Sequence, residues 1–183
     1  MLKYLKSISI GKKAWFLLFV ITTFMLCTAL ILQHGFDMQP CVLCIYQRTA
    51  ILGIWFASIL GMIAPKNFVI RITAIGLWIY SAAYGLSYSW LQVKMQFFPT
   101  PMDKCDLFPR FYFGLKWNEW IPSIFEAKGL CSDIQGAILG LEISQWMTGI
   151  FSVFLFISII VLISQVVKSP TKETMFSFRK RWK

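Results

Sequence analysis

Four cysteines carry the chemistry this chain could do. Cys41 and Cys44 form a C-x-x-C, and Cys105 and Cys131 stand singly further along. A thiolate attacks a disulfide sulfur, so two thiol pairs within reach of each other can pass electrons between them. A bridge inside a C-x-x-C closes a very small ring and constrains little of the unfolded chain. Such pairs recur where disulfides must break and re-form. A bridge from Cys105 to Cys131 would close about 27 residues and contribute ~3.5 kcal/mol in the chain-entropy view, so it could serve only to tie down a loop. The residues leave open whether the resting bridges are 41–44 and 105–131 or an interloop pairing such as 41–131. The fifth cysteine, Cys27, lies inside an apolar run and reads as small hydrophobic filler.

The neighbours of Cys44 sharpen this. Cys44 falls at the expected start of a helix, where unpaired N–H groups favour a thiolate. Arg48 follows at i+4, on the same face one turn deeper. An arginine there is costly in lipid. It either snorkels to the interface or supplies a cation for a thiolate or for the negative charge on a reduced electron acceptor. His34, the single histidine, borders the first apolar run and reads as an interfacial cap or solvent-facing residue rather than a proton-transfer group, and Gln33 beside it is similarly ambiguous. Four thiols could bind zinc, but one C-x-x-C followed by two separated cysteines is not a pair of knuckles, and no metal is expected. There is no C-x-x-C-H haem site, no glycine-rich dinucleotide fingerprint and no H-E-x-x-H. By elimination, the expected oxidant is a quinone dissolved in the bilayer.

A bilayer is what the composition demands. The chain has 183 residues, 57% hydrophobic and 14% charged, whereas soluble domains carry about 25% charged residues. One integral membrane domain is expected, an all-α bundle with spans at about 14–32, 45–64, 72–91 and 146–167. The first uncharged run reaches about 28 Å as a helix, close to a ~30 Å hydrocarbon core. It is too long for a secretory signal and no cleavage site follows, so an uncleaved first span is expected. Lys3, Lys6, Lys12, Lys13, Lys66, Arg71 and the basic residues between Lys168 and Lys183 gather on one side with a single acid, Glu173. The other side carries Asp37, Asp103, Asp106, Glu119, Glu126, Asp133 and Glu142 against five basic residues. The positive-inside rule therefore puts 1–13, 65–71 and 168–183 in the cytoplasm, and the loops 33–44 and 92–145, with the cysteines, in the periplasm. The net charge of +10 is that of cytoplasmic membrane-protein loops, and nucleic acid is not an expected partner. Within the long loop, Trp117, Trp120, Ile121, Ile124 and Phe125 recur at helical spacing and predict a short amphipathic helix on the membrane surface. Gly136 and Gly140 read as turn residues.

The run Pro40-Cys41-Val42-Leu43-Cys44-Ile45-Tyr46-Gln47-Arg48 resembles the signature of the DsbB family, the inner-membrane disulfide bond formation proteins. So do Phe98-Pro99-Thr100-Pro101 leading to Cys105-Asp106, then Gly129-Leu130-Cys131, Ala64-Pro65-Lys66 and Gln145-Trp146. The resemblance spans essentially the whole chain. It implies a four-helix membrane bundle that re-oxidises the periplasmic thioredoxin-like oxidase DsbA, in the relay of DsbA, DsbB and quinone that keeps the periplasm oxidising. By the resemblance, Cys105 is the sulfur attacked by the partner and Cys131 is its bridge mate. Electrons then pass to Cys41 and Cys44, with Cys44 and Arg48 on the side of ubiquinone or menaquinone. Two departures stand out. Some members carry a histidine near the end of span three, where this chain has Leu91-Gln92-Val93. Relatives often have Glu before the arginine, where this chain has Gln47.

Two other readings use the same residues. Vitamin K epoxide reductase-like enzymes also set a C-x-x-C beside a quinone, but there the loop cysteines precede it, the reverse of the order here. A membrane scaffold with two structural disulfides needs no chemistry at all.

Overall fold

The computed structural model describes residues 11–36, 38–98, 127, 129, 131, 137–138 and 140–166. Four long helices dominate: α1 Lys12–Gly35, α2 Val42–Ile63, α3 Phe68–Phe97 and α4 Ile143–Val166. All four are long and apolar enough to cross a membrane, and the chain is a multi-pass membrane protein. Each helix starts before its apolar run, and α3 also continues to Phe97, whereas α2 ends at Ile63, because backbone hydrogen bonding continues until a cap or a proline stops it. Between α2 and α3 the chain turns through Ala64 and Pro65. The Asn67 side chain then caps α3 by accepting from the Val69 N–H at 3.0 Å. Arg71 therefore lies inside α3 rather than in the turn. It is buried, donating from Nε to Gln165 Oε1 at 2.9 Å and from Nη1 to the Pro65 carbonyl at 2.8 Å, and so ties α3, the turn and α4 together.

Packing follows chain order: α1 on α2, α2 on α3, α3 on α4. The outward faces carry Phe16, Phe24, Ile31, Phe56, Tyr80, Val153 and Phe156, all exposed, as helices solvated by lipid require. Threonine and serine hydroxyls along the spans donate to carbonyls one turn back, for example Thr22 to Leu18, Thr49 to Ile45 and Thr148 to Ser144. Each of these hydroxyls therefore meets the hydrocarbon with an acceptor already in place. Cys27 is exposed on α1, so the filler faces outward rather than into the core.

The bundle interior centres on Trp15, Ile51, Ile54, Ala57, Ile75, Trp78, Ala82 and Phe151. Helix approach rests on small residues, since lipid offers little hydrophobic drive for helices to associate. Gly85 on α3 lies against the ring of Phe151 on α4, and a Cβ there would overlap that ring. Gly85→Ala is expected to lower the unfolding temperature in detergent. Overpacking costs about 1–3 kcal/mol, more than the ~1 kcal/mol that alanine adds in helix propensity. A variant as stable as the parent would show that α3 and α4 can part at no cost.

A two-strand hairpin precedes α4. Strand β1 (Ala137–Ile138) pairs antiparallel with β2 (Leu141–Glu142), a small addition to a fold that is otherwise all helix. Gly140 takes φ +80° at its turn, the left-handed conformation that glycine adopts without strain, as its reading as a turn residue requires. The interfacial helix expected around Trp117–Phe125 lies outside the described residues, as do both chain ends and Gly136.

Candidate functional site

Cys41 is the N-cap of α2. Its backbone is extended, and its Sγ accepts the N–H of Cys44 at 3.2 Å. The sulfur that closes the helix end is thus Cys41, and Cys44 sits in the first turn behind it. Pro40 just before fits this, because it holds the entering chain out of the helix. Cys41 is fully buried. Hydrogen bonding to Cys44, then burial, pushes its thiol up from the ordinary value.

Two neighbourhoods meet at this helix end. On one side Cys41 packs with Cys131, Val42, Leu43, Tyr46 and Met95. The backbone secures this contact: Cys41 forms a parallel bridge with Gly129, whose N–H donates to the Pro40 carbonyl at 3.1 Å. Cys131 is buried and disulfide-bonded, whereas Cys41 and Cys44 are free thiols. Tyr46 stacks obliquely on Tyr88, with centroids 4.7 Å apart, and Tyr84 meets Tyr88 edge-on at 4.6 Å.

On the other side Cys44 opens onto a cavity of about 330 Å³. Its walls come largely from α1 (Phe24, Met25, Leu32) and α4 (Trp146, Met147, Ile150), which are not one of the closely packed pairs. Arg48 lies in the same cavity with Gln33, Gln47, Gln92 and Glu142. Arg48 does not reach for the interface. It is buried and donates from Nη1 to Gln33 Oε1 at 2.8 Å, which fixes the guanidinium one turn beneath Cys44. Gln33, ambiguous in the sequence, is its partner on α1. His34 next to it is exposed.

The residues that sequence reasoning left without a role are Gln47 and Gln92. Both are buried, and Gln47 Nε2 donates to Gln92 Oε1 at 2.7 Å. Gln92 Nε2 lies 3.5 Å from Cys44 Sγ and 3.6 Å from Cys41 Sγ. The signal was present in the sequence as two coincident departures from the family pattern, one on each helix, which the structure brings into contact.

Of the sulfurs expected to act, Cys41, Cys44 and Cys131 come together with Arg48 close behind, and Cys105 lies outside the described residues. The sequence matches the family described as disulfide bond formation protein DsbB over residues 11–161. The chain belongs to the DsbB family. It is 45% identical to disulfide bond formation protein B of Yersinia pestis (strain Pestoides F) over 177 residues, covering 96% of this chain and 99% of the relative. The Photorhabdus laumondii protein of that name is 46% identical over 165 residues, 90% and 97% of the two chains. That of Escherichia coli O1:K1 is 38% identical over 173 residues, 94% and 98%. Family membership makes the chain a disulfide-forming oxidoreductase built as a four-helix membrane protein.

Proposed function

We propose that this chain is a quinone-dependent thiol oxidase of the bacterial inner membrane. Both termini are cytoplasmic, and it re-oxidises a periplasmic thioredoxin-like disulfide donor of the DsbA type. The observation that carries the reading is the division of the C-x-x-C between two surroundings. Cys41 lies in one buried cluster with Cys131, and Cys44 faces a largely apolar cavity that also holds Arg48. A scaffold stapled by two bridges would not need the two sulfurs of one pair set in different surroundings.

The steps balance as thiol–disulfide exchange. A partner thiolate attacks Cys105 in a Cys105–Cys131 bridge, forms a mixed disulfide and displaces the Cys131 thiolate. The partner's second thiol then attacks the mixed disulfide, leaves the partner oxidised and frees Cys105. With the Cys41–Cys44 bridge closed, Cys131 attacks Cys41 and expels Cys44 as a thiolate, and Cys105 attacks Cys131 to restore its own bridge. Cys41 and Cys44 are left reduced by two electrons. Exchange at Cys41 suits a sulfur already packed beside Cys131; departure from Cys44 suits one at a helix N-terminus with a cation one turn below.

The cavity suits a quinone, either ubiquinone or menaquinone. Its apolar walls match a fused or substituted ring, and Arg48, a donor without acceptor capacity, matches a carbonyl oxygen. A bound quinone would supply an acceptor for two electrons and two protons. Arg48 would orient its polar edge towards Cys44, while the α1 and α4 side chains keep water from the sulfur. Downhill flow requires such an acceptor, because each ~30 mV by which the partner is more oxidising costs about 1.4 kcal/mol per two-electron step.

Purified protein given reduced partner and a short-chain ubiquinone is expected to consume thiols catalytically, one quinone per disulfide made. Absence of turnover with ubiquinone and menaquinone analogues alike would end the quinone reading.

A further inference from the structure

The amide of Gln92 touches both sulfurs of the C-x-x-C from a different helix. Its Nε2 is 3.5 Å from Cys44 Sγ and 3.6 Å from Cys41 Sγ, and its Oε1 is 3.9 Å from Cys44 Sγ. An amide can turn over, exchanging its nitrogen and oxygen. In this arrangement Gln47 Nε2 donates to Gln92 Oε1 at 2.7 Å, which leaves the nitrogen end of Gln92 for the sulfurs. Both glutamines are buried, each 4% exposed. The assembly therefore sits largely apart from water, where a lost partner is expensive.

We propose that Gln92, held by Gln47, is a positioning residue for the redox-active pair, fixing both sulfurs and supplying the hydrogen bonds that each protonation state of Cys44 needs. Protonated Cys44 donates to the Gln92 oxygen. Deprotonated Cys44 accepts from the Gln92 nitrogen. In the disulfide neither sulfur has a proton, and the two N–H groups of Nε2 still match two weak acceptors. One neutral amide thus serves all three states without moving a proton of its own. The pair Gln47 and Gln92 also accounts for both departures from the family pattern together. A glutamine on α3 needs a donor to hold its oxygen, and a carboxylate at position 47 has none when ionised.

The ionisable groups around Gln92 are Cys41, Cys44, Tyr46 and Arg48 on α2, Tyr88 on α3 and, across the cavity, Glu142. All remain in a Gln92 variant, so a change in Cys44 behaviour between parent and variant reports the amide. The test is site-resolved alkylation of the reduced full-length protein in detergent, by iodoacetamide across pH 6–9 with mass spectrometry. In Gln92→Leu, Cys44 is expected to react about tenfold more slowly at neutral pH, the loss of one hydrogen bond to a charged group, and the midpoint of its pH profile to move upward. Gln47→Leu frees the Gln92 amide to rotate and is expected to give a smaller change of the same sign. A folded Gln92→Leu with the parent's rate and midpoint would overturn the proposal. If that variant does not fold, parental alkylation in Gln47→Leu would do the same. No quinone enters the assay, so its failure and the failure of the quinone reading are separable.

Discussion

Replacing Cys44 by serine is expected to lower quinone reduction by a factor on the order of a thousand or more, with the bundle intact. The oxygen of serine preserves the shape at the cavity wall but neither forms a disulfide nor accepts the electron pair. The substitution also leaves Cys41 without its C-x-x-C mate and without a residue to resolve an exchange at it. A Cys41–Cys131 bridge should therefore accumulate when the variant is given an oxidant, because both residues lie in one buried cluster and Cys41 is bridged through its backbone to Gly129, two residues before Cys131. The loss of quinone absorbance follows the first effect, and peptide mapping of the bridges follows the second. An unchanged rate of quinone loss would remove Cys44 from the mechanism.

Arg48→Met is expected to separate binding from exchange. Methionine replaces much of the apolar stem but neither the charge nor the fork of donors. A hydrogen bond from a charged group is worth about 1.5–3 kcal/mol, so the KM for quinone should rise roughly tenfold to a hundredfold. Thiol exchange with the proposed DsbA-type partner, measured in a single turnover without quinone, should continue at the parent rate. Lysine should rescue only in part, since it delivers a point charge without the planar fork that Arg48 extends to Gln33. Stability is expected to change little or to rise, because methionine removes a buried charge from a site where its desolvation was a cost. Equal KM values in parent and Arg48→Met would place the acceptor elsewhere.

The four spans were legible because uncharged runs of this length have one stable solution in a bilayer. The helix ends were not. Runs of apolar residues mark the hydrocarbon, whereas ends are set by Cys41 and Asn67 as caps and by how far hydrogen bonding continues beyond the lipid, as α3 does to Phe97. The cysteines and Arg48 were legible from spacing on a single segment. Their surroundings were not, since Gln33, Gln47 and Gln92 are ordinary polar residues whose meaning comes from contacts between α1, α2 and α3. In the sequence Arg71 reads as a loop charge, because positive charge near a turn is the common case. Its two buried acceptors come from residues near and far in sequence, Pro65 and Gln165, and only the fold puts them together.

The seam between α1 and α4 decides how a small molecule would be supplied to Cys44. A pocket lined by two membrane-spanning helices and entered from the acyl chains would sample solutes at their concentration in the membrane, not in the surrounding water. Each methylene on a solute shifts that partition by about 0.8 kcal/mol, so a long isoprenoid tail enriches its head group enormously before any contact with protein. Weak intrinsic affinity is then sufficient for full occupancy. Tail length should govern delivery rather than fit, and greasy inhibitors aimed at this seam should appear far more potent in cells than their contacts alone would suggest.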